Sequence, residues 1–133
     1  DRFAPSSFTI RIWFKTYGDI DNGVIMSRLG DGPIRQNGFY LQAHRIGTPE
    51  LSFWMSDGGE GVGFVNGTYT YNAWNHAVFG FDSTENEVFL KVNNGTRLTA
   101  PYDSGMKAFS PGAFTLGAAS LPDPGTPHAQ TEC

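Results

Sequence analysis

Residues 68–96, TYTYNAWNHAVFGFDSTENEVFLKVNNGT, constrain this chain more than any other stretch. Positions 74–81 are dense in aromatic and β-branched types, and Glu87–Val92 alternates apolar with other residues. Both runs suit a pleated, half-buried surface. Between them Asp82-Ser83-Thr84-Glu85-Asn86 supplies turn chemistry, and Asn93-Asn94-Gly95 stops the second run. Successive side chains of a strand point to opposite faces, which puts Val88, Leu90 and Val92 on one side and Phe89 and Lys91 on the other. A β-hairpin with one face turned to a core is predicted.

The same alternation recurs along the chain. In residues 8–16 (FTIRIWFKT) Phe8, Ile10, Ile12 and Phe14 oppose Thr9, Arg11, Trp13 and Lys15. Gly23–Leu29 reads as a second strand, and in Gly38–His44 Phe39, Leu41 and Ala43 oppose Tyr40, Gln42 and His44. In Glu50–Ser56 Leu51, Phe53 and Met55 oppose Ser52, Trp54 and Ser56. Residues 62–65 and 112–117 are shorter strands, and 101–107 reads as a loop. Turn formers such as Asp21-Asn22-Gly23 and Gly30-Asp31-Gly32-Pro33 separate the runs. No window sustains a helical period. Short strands at intervals of roughly 8 to 12 residues define an all-β fold, a two-sheet antiparallel β-sandwich of the jelly-roll type.

Composition narrows the rest. At 133 residues the chain is one domain, with 17% charged residues, too apolar for a disordered segment. The net charge of −4 and nine scattered Lys and Arg give no basic stripe, so nucleic acid is not an expected partner. No apolar run approaches the roughly 18 residues of a membrane span. The sandwich is expected over residues 1–120, with 121–133 a Pro-rich loop or linker tail. Cys133, the single cysteine, has no partner here; it reads either as a buried or capped thiol or as the sign of a fragment whose disulfide partner lies beyond it.

Several segments in succession resemble the laminin-G-like members of the concanavalin A-like lectin/glucanase superfamily. SSFTIRIWFKT resembles the early strand, and GVIMSRL, NGFYLQ and ELSFWMSDG the strands after it. YNAWNHAVFGFD with EVFLKVNNG resembles the most recognisable piece, a Trp two residues before a His leading into a hairpin. AFTLGA resembles a late strand. The resemblance implies the concanavalin A-like fold and an extracellular or surface-displayed recognition or adhesion module. The ends depart from the pattern: a strand before Phe8 and a closing strand after the Leu-Gly-Ala segment are not evident. Unpaired edges must be covered, so the chain is expected to be a piece of a longer protein, or a second copy or neighbouring chain to complete the sheet.

For chemistry, glucanases of the superfamily carry acidic residues alternating on one strand. The nearest approach, Glu85-x-Glu87, falls at a hairpin turn and reads as a solvated turn. No nucleophile motif appears, and His44, His76 and His128 lack metal spacing, so the chain is expected not to be an enzyme; His76 reads as a hydrogen-bonded structural histidine. The resemblance raises Ca²⁺, through loop aspartates Asp31, Asp57, Asp82 and Asp103, whose oxygens suit that hard cation; each is also explained as a turn residue, and no firm cofactor or ligand follows. The opposite faces of the core strands bring Arg11, Trp13, Tyr40, Gln42, His44 and Trp54 into view. Flat aromatics beside hydrogen-bonding groups suit a sugar ring. Trp13, Tyr40, Gln42, His44 and Trp54 are therefore the candidate carbohydrate-binding residues, the ligand being carbohydrate or a glycosylated protein surface. The plainer reading covers Trp13 and Trp54 with loops as a second apolar layer. The rival role is a structural subunit of a fibre, virion or cell-surface assembly. Asn66-Gly67-Thr68 and Asn94-Gly95-Thr96 match the N-glycosylation pattern, at positions that read as turns.

Overall fold

A computed structural model describes residues 6–17, 23–29, 38–44, 47–58, 62–104 and 114–117. Among them lie nine strands: β1 Phe8–Phe14, β2 Gly23–Leu29, β3 Gly38–His44, β4 Glu50–Ser56, β5 Val62–Thr68, β6 Asn75–Asp82, β7 Glu87–Val92, β8 Leu98–Pro101 and β9 Phe114–Leu116. They form a four-stranded sheet in the order β1-β6-β7-β8 and a five-stranded sheet in the order β5-β4-β3-β2-β9. Every pairing is antiparallel. The expected β-sandwich is the fold observed. The tail 121–133, Asp31, His128 and Cys133 lie outside the described residues.

Each alternating strand turns its apolar set inward. Phe39, Leu41, Leu51, Phe53 and Met55 from one sheet meet Ala77, Phe79, Phe81, Val88 and Leu90 from the other, all essentially without solvent contact. Rings bridge the layers: Phe8 stacks on Phe39 at 5.0 Å between centroids, and Phe53 meets Phe79 at 4.9 Å. Burying each such ring contributes about 2–3 kcal/mol, which makes this layer the main source of stability.

The hairpin of β6 and β7 runs in register from Asp82↔Glu87 to Ala77↔Val92. Its turn is held by Asp82, whose Oδ1 accepts from the Thr84 amide at 3.0 Å. Asn86 and Asn93 close the two ends of β7 with φ of 51° and 52°, the left-handed region that asparagine tolerates.

Two strands differ from expectation. β5 runs to Thr68, three residues past the predicted end, because two of its three inward positions, Gly63 and Gly67, are glycines and no apolar alternation marks it. Gly63 and Gly67 let β5 approach the other sheet closely: a Cβ there would lie 2.8 Å from Val88 Cγ1 and 3.0 Å from Val92 Cγ2, respectively. Of its apolar residues only Val65 turns inward, while Val62 and Phe64 point outward. Asn66-Gly67-Thr68 is thus strand, not turn. β8 was not apparent in the sequence at all. It is four residues long and ends on Pro101, which is tolerated because β8 is an edge strand with one hydrogen-bonded neighbour.

The two sheets are offset. β5 packs against β7 and β8, and Phe8 of β1 already meets Phe39 of β3. Counting outward, β9 lies beyond β1. Phe114 turns inward onto Phe39, 5.9 Å away, yet it is 52% exposed and Leu116 is 70% exposed. Among the described residues no strand flanks the free side of β1.

Candidate functional site

Register places the outward side chains of the five-stranded sheet in rows. Ser27, Tyr40, Trp54 and Phe64 form one row across β2, β3, β4 and β5, and Thr115 of β9 continues it. Gln42, Ser52 and Asn66 form the next, followed by His44, Glu50 and Thr68. Sequence alternation therefore brings four of its five candidates, Tyr40, Gln42, His44 and Trp54, onto one surface.

The Tyr40 and Trp54 rings lie 4.9 Å apart, inclined by 30°, and both are half-buried. Phe64 extends the aromatic strip and is 48% exposed. Beside the strip, Ser52 Oγ donates to Asn66 Oδ1 at 2.7 Å, orienting an exposed amide whose NH₂ group is a donor. Ser27, Ser52 and Ser56 are buried between these larger neighbours. Ser27 and Thr115 hydroxyls are 2.6 Å apart, tying β9 to β2. Burial pushes the Tyr40 hydroxyl above its ordinary pKa, so it stays a neutral donor and acceptor. The surface offers aromatic faces, hydroxyls and amides, with Glu50 the sole carboxylate among its described residues.

Trp13 does not belong with the other four. β1 lies in the four-stranded sheet, so the outward faces of β1 and β3 are on opposite sides of the sandwich. Alternation assigns a side chain to inside or outside, but not to a sheet. Arg11 moves with Trp13 for the same reason. Trp13 is 66% exposed, not covered by loops, and its ring rests on that of His76 at 4.9 Å. The His76 backbone bonds to Asn93 in both directions, N–H to Oδ1 at 2.9 Å and carbonyl from the Asn93 amide at 2.7 Å.

The described loop aspartates, Asp57, Asp82 and Asp103, do not gather into one site. Asp82 already faces a cation, since Arg97 Nη2 lies 3.6 Å from its Oδ2 and 3.0 Å from Glu87 Oε1. That guanidinium also sits 4.4 Å above the Phe89 ring. Asp57 lies near Tyr102, whose hydroxyl is pushed up to about 12 by burial and by the Asp57 charge. Asp103 is exposed in a turn. Among the described residues no three His, Cys, Asp or Glu side chains gather as a metal site. Glu85 is exposed in the hairpin turn and Glu87 is paired with Arg97.

Sequence reasoning missed Phe64 and Asn66. The spacing of Gly63 and Gly67 was the available signal: two glycines four apart on one face imply that the alternate positions point outward.

Two antiparallel sheets face to face, one with an aromatic and amide-bearing outer surface, define a lectin-like jelly-roll sandwich. A laminin G family model, described as the concanavalin A-like lectin/glucanases superfamily, matches residues 1–129, and the chain belongs to this family. A search of curated proteins finds no match. Among the described residues no helix is long and apolar enough to cross a membrane.

Proposed function

We propose that this chain is a non-catalytic recognition module, displayed outside the cell, whose five-stranded sheet binds carbohydrate or a glycosylated surface. The observation that carries the reading is the Tyr40–Trp54–Phe64 strip beside the Ser52–Asn66 pair. A sugar ring presents an apolar C–H face that stacks on such a strip, and its hydroxyls match the amide and hydroxyl groups alongside. The non-catalytic part rests on carboxylate placement. Glycoside hydrolysis needs two carboxyl groups about 5–10 Å apart across the scissile bond, and Glu50 has no acidic companion among the described residues of that face.

Trp54→Ala is expected to weaken retention on a glycan surface by roughly tenfold or more, with the circular dichroism spectrum unchanged. Asn66→Ala, which removes an exposed amide and no core contact, should weaken it without altering the melting temperature. Retention unchanged in both variants would exclude this face.

A second reading, assembly through an open sheet edge, is favoured by β1 and β9. The inward-facing Phe114 and Leu116 overhang the free side of β1, where an added strand would cover them while pairing with β1. On this reading light scattering detects self-association that Leu116→Lys abolishes. A monodisperse monomer at high concentration would rule out assembly from copies of this chain.

A further inference from the structure

The end of the sandwich formed by β5 and β8 is a step. Across the core Gly63 of β5 faces Val88 and Gly67 faces Val92, so β5 sits over β7 and runs in the same direction. β8 is the next strand beyond β7, and it projects past β5 as a ledge about 4.8 Å wide. Leu98 and Ala100 pair with Leu90 and Val88, whose side chains face the core. Their own side chains therefore rise from the ledge toward the recess beside β5, and Leu98 is 39% exposed.

Both edges of the step are able to pair. The Tyr69 amide donates to the Pro49 carbonyl at 3.1 Å, and bonded pairs alternate along an antiparallel ladder. Gly63, Val65 and Gly67 thus bond to β4, and the main-chain groups of Val62, Phe64 and Asn66 turn to the free side. The Tyr102 amide donates to the Asn86 carbonyl at 2.7 Å. The same alternation commits Leu98 and Ala100 to β7 and turns Thr99 and the Pro101 carbonyl outward. Edge strands are normally blunted by charge or proline. β5 (VGFVNGT) has neither, and β8 (LTAP) has a proline only at its last position.

We propose that two copies of this chain close into a dimer through this step, each ledge filling the other's recess. The operation is a half-turn about an axis parallel to the strands, midway between the layers and against the inward side of β8. It keeps strand directions, and β5 and β8 run oppositely, so β5 meets β8 of the second copy antiparallel. Gly63 is level with Val88 and hence with Ala100. With no sliding, Ala100 of the second copy falls opposite Gly63, Thr99 opposite Phe64 and Leu98 opposite Val65. Inward residues meet inward ones, and Thr99 and Phe64 are the two whose main-chain groups face the joint. Direction, side-chain face and bonding phase all agree. Leu98 of each copy faces Leu98 of the other across the axis. A lone guest strand beside β5 would leave the outer edge of β8 bare, whereas a second copy covers both edges. An end face two layers deep and seven residues long hides roughly 600 Å² per copy, the lower end of what a specific dimer needs. The inference rests neither on glycan binding nor on the β1 and β9 edge.

Sedimentation equilibrium of the 133-residue chain is expected to give twice the 14.5 kDa of one copy. Leu98→Lys sets two like charges together on the axis and should weaken association about a hundredfold or more. Leu98→Glu should do the same. An equimolar mixture of these two variants should recover the dimer, a result that damage to the fold does not produce. Thr99→Pro deletes one outward N–H from an edge strand and no core contact, and should weaken association about tenfold. Leu116→Lys and Trp54→Ala should leave the dimer intact, so this joint, the β9 edge and the glycan surface succeed or fail separately. Three results would overturn the proposal: a monomer at about 1 mM, where even a weak complex forms; a dimer indifferent to Leu98→Lys; or a Leu98→Lys and Leu98→Glu mixture of folded chains that stays monomeric.

Discussion

Gly80→Val is expected to yield a chain that does not fold at room temperature. Gly80 lies on β6 opposite Thr9 of β1. A Cβ at this position would overlap the backbone carbonyl oxygen of Phe8 and sit 3.0 Å from Phe89 Cζ. The first obstacle is backbone, so no rotamer change relieves it and β1 must part from β6. Losing that pairing also uncovers Phe8, which stacks on Phe39 in the core. The cost exceeds about 4 kcal/mol, against a total stability of about 5–15 kcal/mol for a domain of ordinary size. Thermal unfolding followed by circular dichroism reads the effect directly. Even Gly80→Ala should lower the melting temperature by more than about 10 °C. Phe89→Ala added to Gly80→Ala should not restore it, because the carbonyl remains. A Gly80→Ala melting temperature close to that of the wild type would mean that β1 is not held where the register puts it.

Asn75→Leu is the second large effect expected. Asn75 has no solvent contact, and its side chain makes four hydrogen bonds. Its Oδ1 accepts from the Thr70 amide at 2.9 Å and from Asn93 Nδ2 at 3.0 Å. Its Nδ2 donates to the carbonyls of Thr70 and Ala73, both at 2.8 Å. One amide thus fastens the bend leading into β6 to the turn leaving β7. Leucine fills a similar volume but leaves four polar groups unpaired in a buried place, at about 3 kcal/mol or more. Asn75→Asp separates the roles of the two ends of the amide. A carboxylate keeps the acceptors but faces two carbonyl oxygens, which raises its pKa above that of an unfolded aspartate. A raised folded pKa makes stability greatest where the group is protonated and lost as pH rises through the carboxylate range. Denaturant melts of Asn75→Asp should therefore show partial recovery on acidification, with no such recovery for Asn75→Leu.

The contrast between Asn75 and its neighbours shows what alternation can and cannot reveal. Ala77, Phe79 and Phe81 announce the core face of β6 because apolar residues at every second position have one explanation. Asn75 sits in the same inward phase, but a polar side chain there is explained by partners five and eighteen residues away, which no local pattern records. β5 hid for a related reason: Gly63 and Gly67 are inward because the opposite sheet leaves no room, a fact about β7. Trp13 was grouped with Tyr40 and Trp54 because all three oppose a core face. Which sheet a strand joins is decided by pairing partners distant in sequence, Ala77 for Ile12 and Met55 for Phe39. The hairpin of β6 and β7, by contrast, was legible nearly to the residue, since its register is set by its own turn.

The close approach of β5 to β7 gives the two-layer body a bound spine and a loose fore-edge. Along the spine not even a methyl group fits at Gly63 without moving Val88. At the fore-edge, past β1, apolar side chains of β9 stand in the open. Length inserted by evolution, or a peptide fused by an experimenter, is accommodated where the pages part and is refused along the binding.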